Sequence, residues 1–358
     1  MSQISEPERS GGVGAVGASS CSDLVTVVIP ARNEERTIGE AVASVAGQTY
    51  SNLQILVVDG GSTDRTRKIV EALRVDDPRI ELLGNPDRAI PFALNIALAA
   101  ARGRWMVRVD AHSAIPSNYV ETIVHRFRSG DWGGVGGRKD AVGHTAQGRA
   151  IAAVMGSKFA QGNSIYHYGT TAQTVDHIPF GAYPVELARS LGGWSETQLV
   201  NEDFEFDYRL RQSGHELLFD PEIRIDWDCR QRVSDLFSQY RRYGAGKVQT
   251  LVTHPESLSA RNLAAPVLVA GLAGSVVLLT GKRSRKLGLH GLLPYGAVLA
   301  AGTMDTIANV ERGERRWIVP AFMAIHLGWG TGVWLAVVRR WLGRSEGRGM
   351  EASSGSTR

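Results

Sequence analysis

The chain has 358 residues, 43% of them hydrophobic, and a formal charge of +4. That length supports one large domain, or a domain with an appendage. The mild basic excess sits beside apolar segments, in Lys282-Arg283-Ser284-Arg285-Lys286 and Arg339-Arg340, not on a face with a recognition motif, so no nucleic-acid partner is expected.

Residues 1–22 are rich in Ser, Gly and Glu, lack an apolar stretch of signal-peptide length, and read as a disordered tail. Cys21 lies in it, so a disulfide with Cys229 is not expected and a reducing compartment fits. From Leu24 the pattern changes. Leu24–Ile29 reads as a buried strand stopped by Pro30, and Glu34–Ala46 as a helix with Ile38, Val42 and Val45 on one face. Leu53–Val58 is a second strand, Thr63–Leu73 a helix, Arg79–Leu83 a third strand and Ala89–Ala101 a helix. Arg104–Val109 is a fourth strand, ending at Asp110. This alternation predicts an α/β fold with crossover helices on a parallel sheet. The second half is less regular. Helices are expected at Ser117–Arg128, Gly148–Phe159, Asp203–Gln212 and Ser234–Tyr243, and a strand at Trp132–Gly137.

Beyond about residue 262 the composition turns apolar and Gly-rich. Ala264–Thr280, Leu289–Ala308 and Trp317–Val338 compare with the ~20 residues a spanning helix needs. Trp317, Trp334 and Trp341 stand where interfacial aromatics belong. Buried soluble helices are the alternative. The expected organisation is a tail at 1–22, a catalytic domain at 23–260, a membrane region of two to three helices at 261–342 and a disordered tail at 343–358. With a cytoplasmic domain and three crossings, both basic runs fall outside, against the positive-inside tendency. A re-entrant or interfacial first segment returns them to the cytoplasmic side and is preferred.

Ligands of such sheets bind beyond the carboxyl ends of the strands. Three polar clusters, Pro30–Glu34, Asp59–Asp64 and Asp110–His112, fall at that edge. In Asp110-Ala111-His112, two ligands two residues apart reach one divalent ion, and hard oxygen suits Mg²⁺ or Mn²⁺, with His112 favouring Mn²⁺. His112 read as a polar loop residue is the alternative. Gly60 and Gly61 permit close backbone approach. Asp59 suits hydrogen bonding to a base, whereas Ser62 and Asp64 suit capping of the next helix.

These motifs closely resemble the nucleotide-sugar half of family 2 glycosyltransferases, which have the GT-A fold: a mixed sheet flanked by helices. Ile29–Glu35, Val57–Asp64 and Val109–His112 match in order and spacing. Asn201-Glu202-Asp203 resembles the family's acidic motif, and Gln239-Tyr240-Arg241-Arg242-Tyr243 its Gln-x-x-Arg-Trp motif, with Tyr243 in place of Trp. The Asp-Ala-His variant, Gly162-Asn163-Ser164 and the apolar C-terminus resemble the subgroup that contains a succinoglycan glucosyltransferase.

The resemblance implies that Pro30, Ala31, Asn33, Glu34, Asp59 and Asp110 bind the donor, and that Asp110 and His112 hold the metal. It implies that Asp203 deprotonates the acceptor, giving inversion. Gly181, Glu202, Gln239, Arg242 and Tyr243 would contact acceptor or diphosphate. Gln239 and Arg242 equally fit a solvated basic face. The implied activity is sugar transfer from a nucleotide-sugar donor, UDP by default, to a lipid-linked saccharide in cell-surface or exopolysaccharide synthesis, by a multi-pass plasma-membrane protein with a cytoplasmic domain. Transfer to polyprenyl phosphate itself is the second reading, and an inactive nucleotide-sugar binding protein the third. A Rossmann dehydrogenase is disfavoured, because Pro-Ala-Arg-Asn-Glu stands where a Gly-x-Gly-x-x-Gly loop is required.

Overall fold

The computed structural model describes residues 23–353. The tail expected at 1–22, with Cys21, lies outside the described residues, as do residues 354–358.

The first half alternates as its apolar runs require: β1 (Val25–Ala31), α1 (Ile38–Ala46), β2 (Leu53–Asp59), α2 (Thr66–Asp76), β3 (Ile80–Gly84), α3 (Ile90–Ala100) and β4 (Trp105–Arg108). Then follow β5 (Ser113–Ala114), α4 (Tyr119–Ser129), β6 (Gly134–Val142), α5 (Ala146–Met155), α6 (Lys158–Gln161), β7 (Gln173–Val175), β8 (Ala182–Pro184), α7 (Val185–Ser190), α8 (Glu202–Gln212), β9 (Leu217–Asp228) and α9 (Val233–Thr253). The expected single helix over 148–159 is two, broken at Gly156 and Ser157, whose side chain accepts from Phe159 N–H and starts α6.

One sheet has the order β3-β2-β1-β4-β8-β6-β9-β5, with β7 pairing β9. β1 through β4 are mutually parallel, while β8 runs antiparallel to β4 and β6. Both faces of β1 and β2 are covered, which explains their unbroken apolar runs. Val25, Val27 and Ile29 pack with α1 and α4, and Val28, Leu56 and Val58 pack with α3, α7 and α8.

A third core joins this domain to the C-terminal helices α10 (Ala260–Leu279), α11 (Arg285–Thr306) and α12 (Ile318–Ser353). Ile318, Ala321, Phe322 and Ile325 of α12 pack on Ile151 and Val154 of α5 and Leu236 and Tyr240 of α9. A Cβ on Gly244 would collide with Trp329 O, one on Gly328 with Phe237 O and one on Gly332 with Arg241 O, so α9 and α12 meet backbone to backbone. All three C-terminal helices are long and apolar enough to cross a membrane. α10 and α11 turn Leu263, Val267, Val276, Val277, Leu287, Leu289 and Leu293 outward, exposed. The last helix runs on to Ser353, where the sequence places a disordered tail from residue 343.

Candidate active site

The carboxyl ends of β1, β2 and β4 lie together: Ala31 pairs with Asp59, and Val109 N–H donates to Val28 O at 3.0 Å. The loops after β1 and β2 are stitched by side chains. Asn33, in the left-handed region at φ 57°, accepts from Thr63 N–H at 2.8 Å through Oδ1, and its own N–H donates to Ser62 Oγ at 2.9 Å. Asp64 accepts from Thr66 N–H and Glu35 N–H, so it caps the α2 entry and fastens the loop at once.

The acidic residues of α8 are aimed by the residue just before it. Asn201 adopts φ 62° and ψ 33°, and its amide donates to Tyr243 O at 3.0 Å, tying the start of α8 to α9. Glu202 and Asp203 then face Arg108, which ends β4 and is 7% exposed. Arg108 Nε donates to Asp110 Oδ1 at 2.8 Å, while Nη1 donates to Glu202 Oε1 at 3.1 Å and Asp203 Oδ1 at 2.6 Å. One guanidinium fork thus organises three carboxyl groups.

This arrangement separates their protonation. Burial pushes the Glu202 carboxyl up, the adjacent Asp203 charge adds to it, and it reaches about 8, so Glu202 carries a proton at neutral pH. Burial alone would raise Asp110, but Arg108 and His112 outweigh it and hold that carboxyl below the usual range. Burial works against the His112 cation, yet Glu34 and Asp110 keep its pKa above the ordinary imidazole value. His112 Nδ1 lies 3.6 Å from Glu34 Oε1.

A cavity of about 1550 Å³ brings most of the expected residues together. Asn33, Glu34, Asp110, His112, Glu202, Asp203, Gln239, Arg242 and Tyr243 all line it. The C-terminal helices line it too, with mostly apolar residues: Ala265, Leu268, Tyr295, Val298, Ile325 and Trp329. Pro30 and Ala31 sit in β1 beside the cavity and do not line it. Asp59 also lies outside the wall; it is 3% exposed, accepts from Ser62 N–H and lies 3.6 Å from Arg67 Nη1. Gly181 is not in the wall either: its carbonyl accepts from Arg108 N–H, and a Cβ there would strike Tyr183 and Ile178. Gln239 donates to Tyr243 Oη at 2.9 Å, so these two motif residues brace each other.

Three features were missed in the sequence. Arg108 is one, although a lone charge in the apolar run Trp105–Val109 signals a buried partner. Lys139 of β6 lines the cavity near Asp110 and Asp203, with burial pulling its amine down to about 8. The third is a buried pair: His177 Nδ1 lies 2.7 Å from Asp207 Oδ2, and Asp207 also accepts from Ile178 N–H and Tyr183 Oη. Asp207 follows Asp203 by one helical turn, so both project from one face of α8.

Residues 26–181 match the model of glycosyl transferase family 2. The chain is a glycosyltransferase. It is 29% identical to the succinoglycan biosynthesis protein ExoA of Rhizobium meliloti, over 88% of this chain and 95% of that protein. It is 24% identical, over 63% of this chain and 73% of the relative, to a dolichyl N-acetyl-alpha-D-glucosaminyl phosphate 3-beta-D-2,3-diacetamido-2,3-dideoxy-beta-D-glucuronosyltransferase of Methanococcus voltae. Among solved structures, the mannosyltransferase PcManGT of Pyrobaculum calidifontis, in complex with GDP-Man and Mn²⁺, aligns at a TM-score of 0.55 and 19% identity, over 86% of this chain and 87% of that one. The fold of this glycosyltransferase is GT-A.

Proposed function

We propose that this glycosyltransferase moves a sugar, with inversion, from a nucleotide-sugar donor, UDP by default, to a lipid-linked saccharide in cell-surface or exopolysaccharide synthesis. The observation that carries the proposal is the shared cavity. It is lined by Asn33, Glu34, Asp110, His112, Glu202 and Asp203 and also by apolar residues of α10, α11 and α12. A saccharide on a lipid anchor needs this pairing of polar and apolar lining. ExoA, named for succinoglycan biosynthesis and similar along nearly its full length, points to the same class of product.

Asp110 and His112, with Glu34 beside them, fit a divalent ion. Among the described residues no three or more His, Cys, Asp or Glu are grouped so as to hold a metal ion by themselves. Two protein donors suit Mg²⁺ or Mn²⁺, which complete their shell with substrate phosphates and water. Such an ion, when bound, supplies positive charge to the leaving diphosphate. The chain's own groups do the rest. Arg108 holds Asp203 by Oδ1, so an acceptor hydroxyl can approach the other oxygen and give up its proton as its own oxygen attacks the anomeric carbon. The proton that Glu202 holds keeps that carboxyl from acting as the base, which leaves the role to Asp203.

In the preferred arrangement the catalytic domain lies on the cytoplasmic face of the plasma membrane. A reporter fused at residue 284 tests the preferred re-entrant first segment: an externally active reporter contradicts it.

The functional test is hydrolysis and transfer from a panel of nucleotide sugars, with and without Mn²⁺, with mass analysis of lipid products. The reading predicts a hexose-extended lipid-linked saccharide from one donor, dependent on metal. Product from polyprenyl phosphate alone favours the second reading. Donor binding without turnover, across all acceptors, contradicts both.

A further inference from the structure

We infer that Lys139 is the side chain that receives the phosphate released next to the transferred sugar. The inference rests on the proposed use of a nucleotide-sugar donor in this cavity. Lys139 lies in β6, and its neighbours Arg138 and Asp140 pair with each other at 2.9 Å. Successive strand residues face opposite sides, so Lys139 is turned away from that pair. Its ammonium stands 4.7 Å from the Phe180 ring centroid and 4.1 Å from that of Trp227. Two aromatic faces hold a cation while supplying no full negative charge.

The nearest site carboxylates are already engaged. Asp110, Glu202 and Asp203 all pair with Arg108, and among the described residues no carboxylate forms an ion pair with Lys139. Its charge nevertheless acts on both Asp110 and Asp203. Lys139 also lines the same cavity as Asp110, His112 and Asp203, so the ammonium shares that space with the group that faces the diphosphate and the group that faces the acceptor. In an inverting transfer the bond that breaks lies between those two groups. The acceptor oxygen bonds to the anomeric carbon, the bond from that carbon to the phosphate oxygen breaks, its electron pair stays on the phosphate, and the acceptor proton passes to Asp203. The new negative charge appears in the cavity that Lys139 lines, where a buried cation counts for more than in water.

An oxyanion at this point has two possible sources: the outer phosphate of the leaving group, or the carboxylate of an acidic sugar. The inference commits to the phosphate. The test is calorimetric titration of the full chain in detergent with UDP, GDP and dTDP, each beside its monophosphate, and with UDP-glucose and UDP-glucuronate. For the diphosphate bound by wild type, Lys139→Met is expected to weaken binding at least tenfold, with the monophosphate changed less than twofold and Lys139→Arg close to wild type. Lys139→Gln, which keeps a polar end, replaces the Met variant if that one unfolds. Equal losses for diphosphate and monophosphate, or no loss, overturn the inference. A loss confined to UDP-glucuronate overturns it in favour of the sugar carboxylate. A wild-type protein that binds none of the three diphosphates refutes the donor reading itself, a result visible before any substitution is made.

Discussion

Arg108 and Asp203 are 95 residues apart in the chain and 2.6 Å apart in the fold. The same guanidinium holds Asp110 and Glu202, so the residues assigned to metal and to proton transfer share one cation. Removing one partner of a buried ion network is strongly destabilising, because the remaining charges stay buried with nothing to compensate them. Arg108→Met is expected to destabilise the protein by about 3–5 kcal/mol, as judged from denaturant midpoints. Arg108→Lys, with a point charge instead of a fork, should recover only part of that loss. Unchanged midpoints for Arg108→Met would remove the cluster from the stability account.

Glu202 gives stability a pH dependence with a definite sign. Its folded pKa, about 8, lies above the ordinary 4.5, so the folded state keeps the proton longer. The stabilisation is full below about pH 4.5 and is lost as pH rises toward 8. Glu202→Gln cannot ionise. The variant should gain on wild type progressively between pH 5 and pH 8 in unfolding experiments. Parallel curves for the two proteins would contradict the assignment.

The seam between α9 and α12 joins the C-terminal helices to the cavity. Gly244 faces Trp329 O with no room for a side chain, while Arg242, Tyr243 and Trp329 line the cavity. Gly244→Val is expected to cost about 1–3 kcal/mol through overpacking and to depress transfer by shifting that wall. Gly274→Val on α10, where a Cβ meets nothing within 4 Å, is the control. Equal behaviour of the two variants in thermal unfolding would refute the seam.

The first half of the fold was legible because β1, β2 and β4 are buried runs with polar clusters at one end. One cluster also pointed to Asp110 and His112, which line the cavity, whereas Asp203, which lines it too, was reached only through the family resemblance. β9, Leu217–Asp228, was not legible. Pro221 interrupts it, and its register on β6 shifts after Gly137, where Asp220 gives way to Arg224 as the next paired residue. That local irregularity hides the alternation of Ile223, Ile225 and Trp227 from a periodic reading. Lys139 and His177 escaped for another reason. Their meaning comes from Phe180, Trp227 and Asp207, brought close only by tertiary folding. Asp59 and Gly181 were legible as motif residues, but their packing ties them to the walls of the domain, not to the cavity.

The central claim, that Asp203 takes the acceptor proton, is tested most directly by Asp203→Asn in the full chain. The measurement is transfer of labelled sugar into the lipid fraction, with nucleoside diphosphate binding and thermal unfolding measured on the same sample. A positioned general base contributes about 10²–10⁴-fold. Transfer should fall by at least about a hundredfold while nucleotide affinity and the folded state are retained. Wild-type transfer by a folded Asp203→Asn variant would contradict the account.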